Sequence, residues 1–298
     1  MIPSPFDYVR VGSVDEALAA LVEHGEDAKL LAGGHSLLPI MKLRLAVPTV
    51  LIDISGIPDL SYVRVEGDQV AIGAGTRHFE LERDEVARAE VPLLPHVAGR
   101  VGDPQVRHRG TIGGTTAHSD PASDLPTALL ALGGTVVLQG PGGRREVPVT
   151  EFWTGFFETA MSPDELVVEL RVPRTGSAGW GYEKFTRREN DWPIVAAAAV
   201  GSPDGGPGGP LRVALANMAG TVVRATATEE ALARGVSIAE AAALADQGTS
   251  PGCSPAAPWR RPSAAEDGPL RAPRPEGSSF SGRGPASRRR RWRWWPRR

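Results

Sequence analysis

Ala32-Gly33-Gly34-His35-Ser36-Leu37-Leu38-Pro39 is the stretch on which the fold turns. It follows residues 29–32, a short apolar run that reads as a buried strand. Paired glycines free the backbone to take positive φ and to approach a ligand closely. Successive amides in such a turn point into one concavity, which suits an anion. The Ser36 hydroxyl adds a donor and His35 a further contact. Read alone, the stretch is equally an ordinary strand and turn with a capping serine.

A second stretch lies about 75 residues on: Arg109-Gly110-Thr111-Ile112-Gly113-Gly114-Thr115-Thr116. It reads as another glycine-rich turn with hydroxyl donors. His118-Ser119-Asp120-Pro121-Ala122-Ser123-Asp124 then leads into an apolar helix at 126–132. Asp120 or Ser123 can cap that helix; Asp124 can instead accept hydrogen bonds from a sugar or a heterocycle. No Gly-Lys-Ser/Thr follows either glycine segment, and neither is the G-x-G-x-x-G of a dinucleotide fold. If both turns meet one ligand, a diphosphate matches their chemistry.

Outward from these segments the elements are mixed. Ser13 and Glu16 form a capping box for a helix carrying Val14, Ala17, Leu18, Leu21 and Val22 at helical spacing. Strands are expected at 49–55 and 166–172, and hairpins at 62–72 and 135–149. Residues 81–101 read as mostly helical, broken near Pro92 and Pro95. A second unit starts near Gly176, with three strands at 181–187, 194–200 and 211–216, then helices at 228–234 and 237–246. Strands and helices do not alternate regularly, so the fold class is α+β.

Composition removes several functions. Apolar residues make up 41% and charged residues 23% of the 298, enough for a packed core. The net charge of −2 hides a split, because the last 52 residues hold 12 of the 33 basic and 3 of the 35 acidic residues. Residues 1–246 are therefore strongly acidic, against a nucleic-acid role for the body. With Cys253 the only cysteine, this chain by itself holds no disulfide framework, cysteine zinc site or iron–sulfur cluster. The six histidines show no metal-ligating spacing. Met1-Ile2-Pro3-Ser4-Pro5 lacks the regions of a signal peptide, and no apolar run approaches the roughly 20 residues of a membrane span. The cytoplasm is the expected compartment.

Lys184, in Tyr182-Glu183-Lys184-Phe185, reads either as a salt-bridged lysine or as one held near a cofactor. Trp192 reads as core or as a lid over a flat ring. Residues 251–298 are rich in Pro and Arg and have no periodic apolar face, so little packed structure is expected there. A nucleic-acid-binding tail and a shifted reading frame are both open for that stretch.

The two glycine segments in this order, together with Pro5-Phe6-Asp7-Tyr8, Ser13 to Ala17, Gly102-Asp103-Pro104-Gln105-Val106-Arg107 and residues 182–188, carry a resemblance. The chain resembles the FAD-binding subunits of the molybdenum hydroxylases, nearest to the medium chains of aerobic carbon monoxide dehydrogenases. It is also similar to the flavin domain of xanthine dehydrogenase. The resemblance runs to about Ser250. His108 departs from it, standing where asparagine is common.

The resemblance implies a two-part FAD-binding α/β domain of the vanillyl-alcohol-oxidase type at 1–175. A small domain of three antiparallel strands with helices follows at 176–250, and 251–298 is an atypical tail. It implies that Ala32, Gly33, Gly34, His35, Ser36 and Leu37, with Thr111, Gly113, Gly114 and Thr115, hold the pyrophosphate. Gly102 belongs to the same cofactor set. Asp124 and Ser123 fall near the flavin or its ribose, Lys184 near the isoalloxazine, and Trp192 beside it. A positive charge at Lys184 raises the flavin's potential. No residue of this chain is assigned as acid or base.

In such enzymes a large subunit holds the molybdenum cofactor and a small one two [2Fe–2S] clusters. Electrons reach FAD and pass to a quinone or another acceptor, and the assembly is a dimer of heterotrimers. The implied address is cytoplasmic, including the inner face of the membrane. The resemblance also covers xanthine and aldehyde dehydrogenases. A stand-alone FAD oxidase and a nucleotide-binding module with an RNA-binding tail are the competing readings.

Overall fold

The computed structural model describes residues 2–202, 205 and 209–250, all in one compact unit. A small α/β layer comes first: β1 (Asp7–Arg10), α1 (Val14–His24), β2 (Ala28–Leu31), α2 (Leu37–Lys42) and β3 (Val50–Asp53). Its three strands are parallel in the order β1-β3-β2. Val50 and Ile52 of the central strand share a core with Ala17, Leu18 and Leu21 of α1, and Leu51 between them is buried as well. Ser13 caps α1, but Glu16 reaches one residue beyond a capping box, accepting from the Gly12 amide at 2.8 Å. β1 is an edge strand with no apolar run, which is why periodicity does not announce it.

The next layer is a five-stranded antiparallel sheet. Its strands are β4 (Val63–Glu66), β5 (Gln69–Gly73), β6 (Thr135–Gly140), β7 (Gly143–Pro148) and, later in sequence, β10 (Leu166–Pro173). The order is β4-β5-β10-β6-β7, so β10 zips two hairpins together. Between them run α3 (His78–Arg83), α4 (Glu85–Glu90), α5 (Leu93–Arg100), α6 (Pro104–Arg107), α7 (Ile112–His118) and α8 (Asp124–Leu132). The helical stretch expected at 81–101 is three short helices, because Asp84 restarts the chain by capping α4 and Pro92 by starting α5. α9 (Val149–Phe152) and a small hairpin, β8 (Trp153–Gly155) with β9 (Glu158–Thr159), precede β10.

The last sheet is β11 (Trp180–Phe185), β12 (Val195–Val200), β13 (Arg212–Ala216) and β14 (Val223–Arg224), antiparallel throughout. Three strands were expected; the fourth is a two-residue edge, too short to leave a pattern. α10 (Thr226–Ala233) and α11 (Ile238–Ala242) follow, the second shorter than the expected 237–246. Helix α8 is the hub. All nine of its residues are buried, and it packs on β12 and β13, where Ala196, Ala198, Ala214 and Ala216 are buried. Small side chains there let the helix axis approach the sheet. The expectations for residues 251–298 lie outside the described residues.

Candidate functional site

A cavity of about 1360 Å³ opens along the three layers. Every site residue named from the sequence borders it, from Ala32 through Leu37 to Gly102, Thr111, Gly113, Gly114, Thr115, Ser123, Asp124, Lys184 and Trp192.

The two glycine segments touch. A Cβ on Gly33 would stand 2.3 Å from the Arg109 carbonyl oxygen and 2.8 Å from the Gly110 Cα. Gly34 has φ +78°, a conformation that favours glycine. Beyond it the chain turns into α2, with Leu38 donating to the Gly34 carbonyl at 3.0 Å. Pro39 is accommodated because the first turn needs no donor. The main-chain amides of Gly33, Gly34, His35, Ser36 and Leu37 have no acceptor among the described residues. Ser36 does not cap α2 with its side chain. Five successive donors beside a cavity form a concavity for an anion.

The second segment is built differently from the expected open turn. Thr111 caps α7, its Oγ1 accepting from the Gly114 amide at 3.1 Å. The Ile112 amide donates to Thr76 O at 3.0 Å, Gly113 to Ala74 O at 2.8 Å and Thr115 to Thr111 O at 3.0 Å. These four donors are spent inside the protein, while the Thr111 amide has no acceptor among the described residues; the segment has no run of successive free amides like that at 33–37. Its glycines serve close packing: a Cβ on Gly113 would fall 2.5 Å from the Ala74 Cβ. What it brings to the cavity is the Thr115 hydroxyl, 3.5 Å from the Ser123 hydroxyl.

At the other end, Asp124 opens α8, where the helix N-terminus favours a carboxylate. It accepts from the Tyr182 hydroxyl and, at 2.9 Å, from Lys184 Nζ. Lys184 also donates to the Arg100 carbonyl at 3.2 Å. Its side chain is 2% exposed and ion-paired with Asp124, on the border of the cavity. Burial raises the Asp124 pKa, with Lys184 and Tyr182 opposing that rise. Burial and the adjacent Asp124 push the Tyr182 pKa far up, so the phenol is a fixed donor. Ser123 is buried in the N-cap position, though its hydroxyl makes no cap bond. Gly102, at φ +37°, turns the chain out of α5. Trp192 is 59% exposed on the cavity rim and not core.

Sequence reasoning missed Tyr182 and His78. Tyr182 was within reach, since it shares a strand face with Lys184 two residues on. His78 is buried against Gly110, and burial lowers its pKa to about 4, with the charges of His35 and Arg107 adding. Nothing in its local sequence marks it. Among the described residues no group of three or more His, Cys, Asp or Glu could hold a metal.

Residues 4–175 match the family model of the FAD binding domain in molybdopterin dehydrogenase, and residues 180–262 that of the CO dehydrogenase flavoprotein C-terminal domain. The chain is 47% identical over 225 residues to the carbon monoxide dehydrogenase medium chain of Hydrogenophaga pseudoflava, covering 75% of this chain and 78% of the relative. It is 41% identical over 264 residues to that of Afipia carboxidovorans, covering 84% and 91%. A xanthine dehydrogenase FAD-binding subunit of Escherichia coli O157:H7 is 27% identical, over 75% of this chain and 77% of the relative. A solved carbon monoxide dehydrogenase from Hydrogenophaga pseudoflava superposes with a TM-score of 0.79 at 44% identity, covering 85% of this chain and 90% of the other.

Proposed function

The chain belongs to the FAD-binding subunits of the molybdenum-containing dehydrogenases, and from that premise we propose that it serves a carbon-monoxide-oxidising complex. It is an oxidoreductase subunit that carries FAD; the molybdenum cofactor and the iron–sulfur clusters belong to a large and a small partner subunit. Within that assembly this chain receives electrons from [2Fe–2S] clusters and hands them to an external acceptor, for which we propose a quinone. We further propose a dimer of heterotrimers in the cytoplasm, with a cofactor domain at 1–175 and a smaller domain at 176–250. Among the described residues no helix is long and apolar enough to cross a membrane.

The observation that carries the site assignment is the run of unpaired amides from Gly33 to Leu37 beside a cavity large enough for a dinucleotide. When bound, FAD supplies the conversion between two-electron and one-electron transfer. The amides of residues 33–37 and the Ser36 hydroxyl would hold its diphosphate. Thr111, Gly113 and Gly114 border the same cavity, and Thr115 adds a hydroxyl. Asp124 and Ser123 mark the end that takes the ribityl and ring portion. Lys184 offers a paired dipole there, which tunes the potential less than a free ammonium. Trp192 is placed to cover an exposed ring face.

Relatives named for 6-hydroxypseudooxynicotine, glyceraldehyde, caffeine and nicotine chemistry match at 40%, 39%, 35% and 33% identity, below the two carbon monoxide dehydrogenase chains at 47% and 41%. That ordering supports carbon monoxide as the substrate of the complex. The test is co-expression with the neighbouring large and small subunits, followed by flavin analysis and substrate-dependent reduction.

A further inference from the structure

His78 opens α3, is 4% exposed, and borders the cavity. Its main-chain amide donates to the Gly110 carbonyl at 2.9 Å, tying α3 to the second glycine segment. Its Cδ2–Nε2 edge lies on Gly110, where a Cβ would stand 2.8 Å from either atom. Gly110 in turn lies against Gly33. The imidazole therefore stands at the seam where the two segments meet.

Its Nδ1 is buried and has no partner among the described residues. Orphaned buried N–H groups are rarer than under-satisfied acceptors, so the ring proton belongs on Nε2. Burial keeps the ring neutral near pH 7. A neutral ring of this tautomer donates at Nε2 alone. The second glycine segment, whose amides from Ile112 to Thr115 are spent, has this donor beside it in addition to the Thr111 amide.

We infer that His78 is a positioning residue for the cofactor's diphosphate, presenting its Nε2–H at the seam between Gly33 and Gly110. The inference rests on the reading that this cavity holds FAD. The diphosphate is the fitting partner because the seam adjoins the unpaired amides of residues 33–37, whereas Asp124 and Lys184 occupy the other end.

The test uses the full chain assembled with its partner subunits, stripped of flavin and titrated with FAD, ADP and AMP. His78→Gln returns an N–H near the position of Nε2; His78→Asn reaches only the position of Nδ1; His78→Leu fills the space without a donor. The expected result is FAD and ADP affinity within about threefold of the parent for Gln, and about tenfold to a hundredfold weaker for Asn and Leu. AMP, which lacks the diphosphate, binds all four alike. Equal FAD affinity across the series overturns the inference, as does a loss for AMP matching that for ADP. If the Leu variant fails to fold, the Asn-to-Gln comparison decides. Failure of the parent itself to take up FAD strikes the reading of the cavity rather than this residue.

Discussion

Gly33 and Arg109 meet main chain to main chain, so closely that a methyl group on Gly33 would stand 2.3 Å from the Arg109 carbonyl oxygen. This contact fastens a loop of the parallel layer to the approach of α7. It leaves the Gly33 side of the cavity with free amides.

Gly33→Ala is therefore expected to push the segments apart. The obstacle is backbone, which cannot rotate away. Overpacking of this kind costs about 1–3 kcal/mol, and FAD affinity should fall with it. Gly142→Ala is the control: nothing lies within 4 Å of the added Cβ. Thermal midpoints and flavin content of the two variants, measured side by side, check this.

The Asp124–Lys184 pair gives a double-mutant cycle. Lys184→Met leaves a buried carboxylate without its counter-ion and should destabilise the chain by about 3–5 kcal/mol. Adding Asp124→Asn removes the stranded charge and should recover a large part of that loss. Denaturant unfolding of both singles and the double measures the coupling. Simple addition of the two single effects would show that the pair does not act as a unit.

His78 predicts a pH dependence. Its pKa in the folded protein is about 4, below the usual 6.5. The unfolded chain therefore binds a proton first as pH falls. The stability from burying the neutral ring is present above pH 6.5 and is lost progressively toward pH 4. For a shift of that size the loss is about 3 kcal/mol. His78→Gln should flatten this part of the stability profile in pH-dependent unfolding, relative to the parent.

Thr111→Val keeps the bulk of the cap residue and removes its oxygen. The Gly114 amide then loses its acceptor at the start of α7. A loss of about 1 kcal/mol is expected, read as a lowered thermal midpoint. Diphosphate binding should be weakened little, because the five free amides of the other segment and the Thr111 amide itself are all kept.

Much of this arrangement is legible in the sequence, and the limits have physical causes. The glycine pairs at 33–34 and 113–114 mark where backbones come close, because only close approach or positive φ demands them. They do not say which amides remain free. That depends on Ala74 and Thr76, whose carbonyls take the Gly113 and Ile112 amides from a different part of the chain. Likewise, Lys184 on an alternating strand is visible as a candidate, but its partner sits 60 residues away on α8. The fourth strand of the last sheet, β14, is two residues long and leaves no periodicity to read. His78 gains its character from burial against Gly110, a contact that sequence spacing does not encode.

The most direct test of the central claim is anaerobic addition of carbon monoxide to the purified complex of this chain with its large and small subunits, following the flavin absorbance. One FAD per copy of this chain is expected, bleached by carbon monoxide and restored when an electron acceptor is added. An assembled complex whose iron–sulfur clusters are reduced by carbon monoxide while this chain carries no flavin, or carries one that stays oxidised, would contradict it.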